Sequence, residues 1–185
     1  MSPVFGMSVS DLDADGKVDL LLAQNFYSPQ RETGRMSGGL GVLLKGNEQG
    51  GFTALWPAES GVVIPEDGKS LVLANYNGDE RPDFLVGVND GLLQRWDHQG
   101  VDDEFFHVRL GGNTSLHGNA LITLHYDSGQ KRVKECHTGS GYLSQEPAMV
   151  FAKRDGLRSV SVRWADGSVT ELEIEPEDHV VVIFP

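Results

Sequence analysis

Asp11-Leu12-Asp13-Ala14-Asp15-Gly16-Lys17-Val18-Asp19 runs directly into the apolar stretch Leu20-Leu21-Leu22-Ala23. Carboxylates fall at positions 1, 3, 5 and 9 of this loop, and glycine falls at position 6. Calcium is a hard cation that takes roughly six to eight oxygen ligands. A backbone wrapped around one point brings Asp11, Asp13 and Asp15 together, and Gly16 permits the sharp turn. The carbonyl of Lys17 then faces the ion, and Asp19 closes the shell from the first residue of the next strand. An EF-hand opens in the same way but needs a bidentate Glu at position 12 and helices on both sides. Leu22 stands at that position and the flanks are β-like. The plainer alternative is a solvated acidic turn, but four aspartates at this spacing around a glycine favour a calcium loop between two strands.

The β reading extends outward from the loop. Short apolar runs bounded by Gly, Asp and Asn recur at Val18–Ala23, Leu40–Leu44, Leu71–Ala74, Phe84–Val88 and Val180–Phe184. Every second residue is apolar in Val160-Ser161-Val162-Arg163-Trp164 and in Val169-Thr170-Glu171-Leu172-Glu173-Ile174, the period of half-buried strands. Asp166-Gly167 between them is a hairpin signal, and Tyr126–Gln130 joins two further strands in the same way. The chain is therefore expected to be all-β.

It also repeats itself. Ser8–Leu22 aligns with Val72–Val86, 64 positions later, the spacing of a propeller blade that carries a long insertion. The polar, glycine-rich segment Gln30–Gly39 is the expected insertion. Asn75, Asn77, Asp79 and Asp83 occupy the ligand positions of the second loop, with Arg81 offering its carbonyl. Amide oxygens still coordinate calcium, but half the charge is gone, so this loop is expected to bind more weakly. Its glycine, Gly78, comes earlier than the position of Gly16, and a metal-free turn held by its asparagines is the alternative.

After about Gln99 the acidic signature stops, and a domain boundary is expected near Gly100–Glu104, giving a repeat region over 1–102 and a second β domain over 103–185. The 23 glycines suit a chain rich in turns. A net charge of −12 argues against a nucleic-acid surface, since phosphates would be repelled. A lone cysteine, Cys136, excludes an internal disulfide. No apolar run approaches the ~18 residues a membrane span needs, and Met1-Ser2-Pro3-Val4 lacks the character of an export signal. The chain is accordingly read as either cytoplasmic or a fragment of a longer protein.

The two loops resemble FG-GAP (VCBS-type) repeats, the calcium-loop blades of integrin-like propellers. The later part resembles the ASPIC/UnbV domain that accompanies such repeats in the cartilage acidic protein 1-like family. The resemblance rests on Val108-Arg109-Leu110, Gly118-Asn119-Ala120, Val160–Gly167 and, most specifically, Gly139-Ser140-Gly141-Tyr142-Leu143-Ser144-Gln145. The family usually has Phe-Gly-Leu-Gly after that last string; here Phe151-Ala152-Lys153-Arg154-Asp155-Gly156-Leu157 stands there. The resemblance implies a partial β-propeller followed by a small β-sandwich or barrel-like domain. It further implies calcium as cofactor, an exported, surface or periplasmic location, an extracellular protein or glycan as partner and, since such proteins usually carry more repeats and an export signal, that this chain is the C-terminal piece of a longer protein or a truncated one.

Catalytic constellations are weak. Cys136 and His137 are neighbours, which a strand would point to opposite faces. Ser140 lacks the Gly-x-Ser-x-Gly elbow, and His107, His117, His125 and His137 show no zinc spacing. Gly38-Gly39-Leu40-Gly41 lacks the Lys and helix of a phosphate loop. A binding scaffold is therefore expected rather than an enzyme, with an accessory or catalytic role in biosynthesis as the alternative that the UnbV resemblance raises. Trp164 is expected in the core and Trp56, before Pro57, at the surface.

Overall fold

The computed structural model describes residues 2–100, 105–137, 139, 143 and 146–185. The first sheet is antiparallel and runs β1 (Val4–Ser10), β2 (Asp19–Gln24), β3 (Val42–Gly46), β4 (Phe52–Leu55) in sequence order. A one-turn helix, α1 (Pro57–Ser60), leads to a second meander of β5 (Gly68–Ala74), β6 (Asp83–Val88) and β7 (Gln94–Trp96). β3 starts later than the apolar run suggests because Gly41, at φ 74°, still belongs to the turn.

The repeat holds to the single residue. β1 pairs β2 with a bulge between Val4 and Gly6, ending on Ser10 opposite Asp19. β5 pairs β6 with a bulge between Gly68 and Ser70, ending on Ala74 opposite Asp83. Each of these partners is the other shifted by the sequence repeat. The long insertion is the β2–β3 connection, which folds back through a bridge between Phe26 and Met36. Asn25 anchors it: the side-chain amide donates to the carbonyls of Gly39 and Glu66, and its oxygen accepts from the Gly39 amide.

The two meanders stack as adjacent propeller blades. Gly6 sits where β1 meets β5; a Cβ there would lie 2.8 Å from the Leu71 amide nitrogen, so a side chain would push the strands apart. Leu21, Ala23, Leu71, Leu73 and Val86 form the core between the blades, with Leu12, Val62 and Ile64. On the opposite face of the first blade Met7 and Val9 are exposed and Leu20 and Leu22 half-buried. By the repeat these four correspond to Leu71, Leu73, Phe84 and Val86, which are packed in the second blade. The propeller is thus partial, with one blade face open.

The remaining strands form a sandwich. One sheet has the order β10 (Lys131–Glu135), β9 (Leu121–Tyr126), β12 (Leu157–Arg163), β13 (Val169–Glu173), all antiparallel. The other is β11 (Met149–Lys153), β8 (Phe105–Leu110), β14 (Val180–Ile183), in which β14 runs parallel to β8. Phe106, Val108, Ile122, Leu124, Val160, Val162 and Trp164 fill the space between them. β8 is buried at every residue but Arg109, so both of its faces are covered. Phe105 packs edge-on against His98 of the propeller part, and Phe151 lines a crevice with Val9, Ser10 and Leu73.

The architecture is all-β, with no closed barrel among the described residues. Both expected hairpins are present, at Asp127–Gln130 and Ala165–Ser168. Trp164 is buried and Trp56 is exposed, as patterning indicated. Most of the proposed boundary, 101–104, and Ser140, Gly141, Tyr142, Ser144 and Gln145 of the family string lie outside the described residues.

Candidate metal centre

The first loop begins where β1 ends. Asp11, Asp13 and Asp15 each bring a carboxylate oxygen within 4.8 Å of the others. The loop backbone achieves this with two left-handed residues, Ala14 at φ 56° and Gly16 at φ 84°. The second loop uses the same two positions, Gly78 at φ 82° and Glu80 at φ 68°. Each loop therefore has one glycine, placed at opposite ends of the same left-handed pair. Non-glycine residues in this conformation cost about 1 kcal/mol or more. Glu80→Gly is expected to stabilise the metal-free chain by ~1 kcal/mol and Gly16→Ala to destabilise it by a similar amount, read as shifts in urea midpoint with EDTA present. Only Lys153 Cδ, at 3.6 Å, stands near the added methyl of Gly16→Ala, so backbone conformation decides the sign.

Asp11 is fully buried. Its Oδ2 accepts from the Gly16 amide at 3.1 Å, from Arg132 Nη1 of β10 at 3.1 Å and from the Lys153 amide of β11 at 3.2 Å. Its Oδ1 is buried and has no hydrogen-bond partner among the described residues. Burial pushes its pKa up to about 6, with Arg132 working against the rise. Asp13 and Asp15 are more open, and Lys45 at the end of β3 donates to Asp13 and lies 3.4 Å from Asp15 Oδ2. Lys17 places its ammonium 3.2 Å from the same Asp15 oxygen and its amide 2.8 Å from Oδ1. Burial acts upward on Asp15, but the bonds from Lys17 and Lys45 hold it below the usual carboxylate range.

Asp19 stands at the base of the loop. Its Oδ2 accepts from the Leu12 amide at 2.9 Å and its Oδ1 from the Gly46 amide at 2.8 Å. Those bonds tie the loop to the ends of two strands, while burial raises its pKa. In the second loop Asp83 takes the same place, its Oδ1 accepting from the His98 amide at 3.0 Å. Asn75 accepts from Gly78 and Asn77 from Asp79, both within the loop. Asp79 is held by Arg81, at 2.9 Å from Nε and 2.6 Å from Nη2. The residue two places after the third ligand position is thus a cation folded onto it in both loops, Lys17 on Asp15 and Arg81 on Asp79.

Several contributors left no local signal in the sequence. Lys45, Arg132, the Lys153 amide and His98 reach the first loop from distant parts of the chain. His98 Nδ1 accepts from the Gly100 amide, so its Nε2 carries the proton and donates to the Leu12 carbonyl at 2.9 Å. The donor set suits a hard divalent cation. The buried, unpartnered Asp11 oxygen is what such an ion would satisfy. Asp11, Asp13 and Asp15 would hold it.

Residues of the second domain singled out for chemistry are dispersed. Cys136 is buried, with burial raising its pKa to about 11, while the adjacent His137 is exposed. His125 bonds Ser161, and His117 bonds the Gly111 carbonyl.

Residues 11–86 match the FG-GAP-like repeat family, and residues 111–185 match the ASPIC and UnbV family. A search of curated proteins found no match.

Proposed function

We propose that this chain, an FG-GAP repeat protein with a C-terminal ASPIC and UnbV domain, is a calcium-stabilised β-scaffold of an exported or surface protein that binds an extracellular protein or glycan and carries out no chemistry of its own. The observation that supports this most is the convergence of Asp11, Asp13 and Asp15 with one oxygen of Asp11 buried and unpartnered. A metal-free loop of this kind carries mutual repulsion that a divalent ion removes. Binding the folded state alone then stabilises it by ~2.7 kcal/mol at one hundred times Kd.

The first loop is the expected principal site. The second offers Asn75, Asn77, Asp79, Asp83 and the Arg81 carbonyl, but Asp79 must first part from the Arg81 guanidinium. Calorimetric titration of wild type with calcium should give one dominant site and a higher Tm on loading. Asp13→Ala should lose that site and most of the Tm gain. Asp13 is half exposed to solvent and bonds only loop and surface groups, so the variant should keep its fold. Equal heats from both proteins would refute the assignment.

A further inference from the structure

The chain already places its own cation across part of the proposed site. Lys45 leaves the end of β3, far from the loop in sequence, and its Nζ reaches both Asp13 and Asp15. An ammonium is a compact point charge with three donors, able to bridge two carboxylates as a small cation does. It does not reach Asp11, whose buried Oδ1 keeps no partner among the described residues. The ammonium therefore covers the open side of the triad and not the deep side.

Resting on the calcium reading above, we propose that Lys45 is a tethered competitor that sets the affinity of the first loop. Lys45 bonds Oδ2 of Asp13 and lies near Oδ2 of Asp15, while the Oδ1 atoms of both accept loop amides. An ion held by these two carboxylates therefore competes with the ammonium for their charge, and two cations do not share it without strong repulsion. Loading thus requires the ammonium to swing out into solvent. Lys45 is partly exposed and sits at a strand end, so the exchange needs no rearrangement of the core.

The other cations at the loop differ. Arg132 approaches Asp11 from the second domain on Oδ2, the oxygen that also takes two backbone amides. Lys17 touches Asp15 alone among the triad. In the second loop Arg81, the repeat counterpart of Lys17, makes three bonds to Asp79, counting its amide. The consequence is a loop filled at the roughly 10⁻⁴–10⁻³ M calcium typical of extracellular modules and empty where calcium is scarce. In the empty state Lys45 neutralises part of the cluster and keeps the fold.

The test is calorimetric titration of the intact chain with calcium chloride, together with melting in EDTA and in calcium. Wild type, Lys45→Gln, Lys45→Met and Lys45→Arg are compared. Both neutral variants should bind about tenfold tighter, while Lys45→Arg stays within about threefold of wild type. In EDTA the neutral variants should melt lower than wild type, and calcium should raise their Tm by more. A merely structural lysine would shift Tm without moving Kd. Unchanged or weaker calcium binding in both neutral variants would overturn the proposal while leaving the calcium site standing. Absence of binding by all four proteins at millimolar calcium would overturn the site itself, and the proposal with it.

Discussion

Trp164→Ala is expected to destabilise the protein by about 4 kcal/mol. The indole, just past the end of β12, is completely buried in the sandwich core. Its Nε1 donates to Thr170 Oγ1 at 2.9 Å, and that hydroxyl donates onward to the Phe184 carbonyl at 3.1 Å. One side chain therefore fills the core and ties the β12–β13 hairpin to the chain beyond β14. Truncation leaves a large cavity and also strips Thr170 of a donor. Trp164→Phe separates the two contributions: most of the volume stays and the indole N–H is lost, for an expected loss of about 1–2 kcal/mol. Urea unfolding followed by circular dichroism measures both. A loss under ~1.5 kcal/mol for the alanine variant would mean that the sandwich collapses around the gap.

The second large effect concerns His107. It lies on β8, buried to 2% exposure, stacked on Phe151 with ring centroids 4.5 Å apart. Among the described residues neither ring nitrogen has a hydrogen-bond partner. Burial, helped by the charge of Arg109, depresses its pKa to about 4 from the usual 6.5. The sign follows. Above pH 6.5 both folded and unfolded imidazoles are neutral, and the group adds no pH dependence. Between pH 6.5 and 4 the unfolded chain takes up a proton that the folded chain refuses. Stability contributed by this residue therefore falls with acidification, by about 3 kcal/mol at pH 4.

Asp11 works the other way in the same window. Its raised pKa means that the folded state takes up a proton first, which stabilises it as pH falls toward 4. The net acid limb of wild type is thus blunted, and a comparison isolates the imidazole. His107→Leu should be more stable than wild type at pH 7, because two unsatisfied ring nitrogens are gone. The gap should widen by about 3 kcal/mol between pH 7 and pH 4. Chemical denaturation across that range decides it, and parallel stability curves would show that His107 finds a proton partner in solution. Phe151, on which the ring stacks, also lines the crevice against Val9 and Leu73. Acid is therefore expected to act where the sandwich meets the propeller blades.

Local chemistry made much of this protein legible. The period-two alternation of Val160, Val162 and Trp164 puts those residues inside, because a strand sends successive side chains to opposite faces. Asp166-Gly167 stops one strand and starts the next. The aspartate spacing before β2 foretold that Asp11, Asp13 and Asp15 would converge, since a tight turn around glycine leaves their side chains few other directions. The repeat was visible because both copies must make the same bulge, the same loop and the same terminal aspartate. The left-handed pair was only half visible, since Ala14 and Glu80 adopt a conformation that their side chains do not advertise.

What escaped the sequence was everything that arrives from a distance. That Lys45 bridges Asp13 and Asp15 depends on where β3 ends beside the loop. That Arg132 and the Lys153 amide bury Asp11 depends on how the sandwich docks against the blades. His107 read as one scattered histidine, and only the covering of both faces of β8 made it a buried, unpartnered base. The sequence by itself determined the β character, the repeat and the three converging carboxylates, because these follow from neighbours in the chain. The tertiary structure alone decided which cations those carboxylates meet and how deeply each is buried, because charge and solvation are set by groups that only folding brings together.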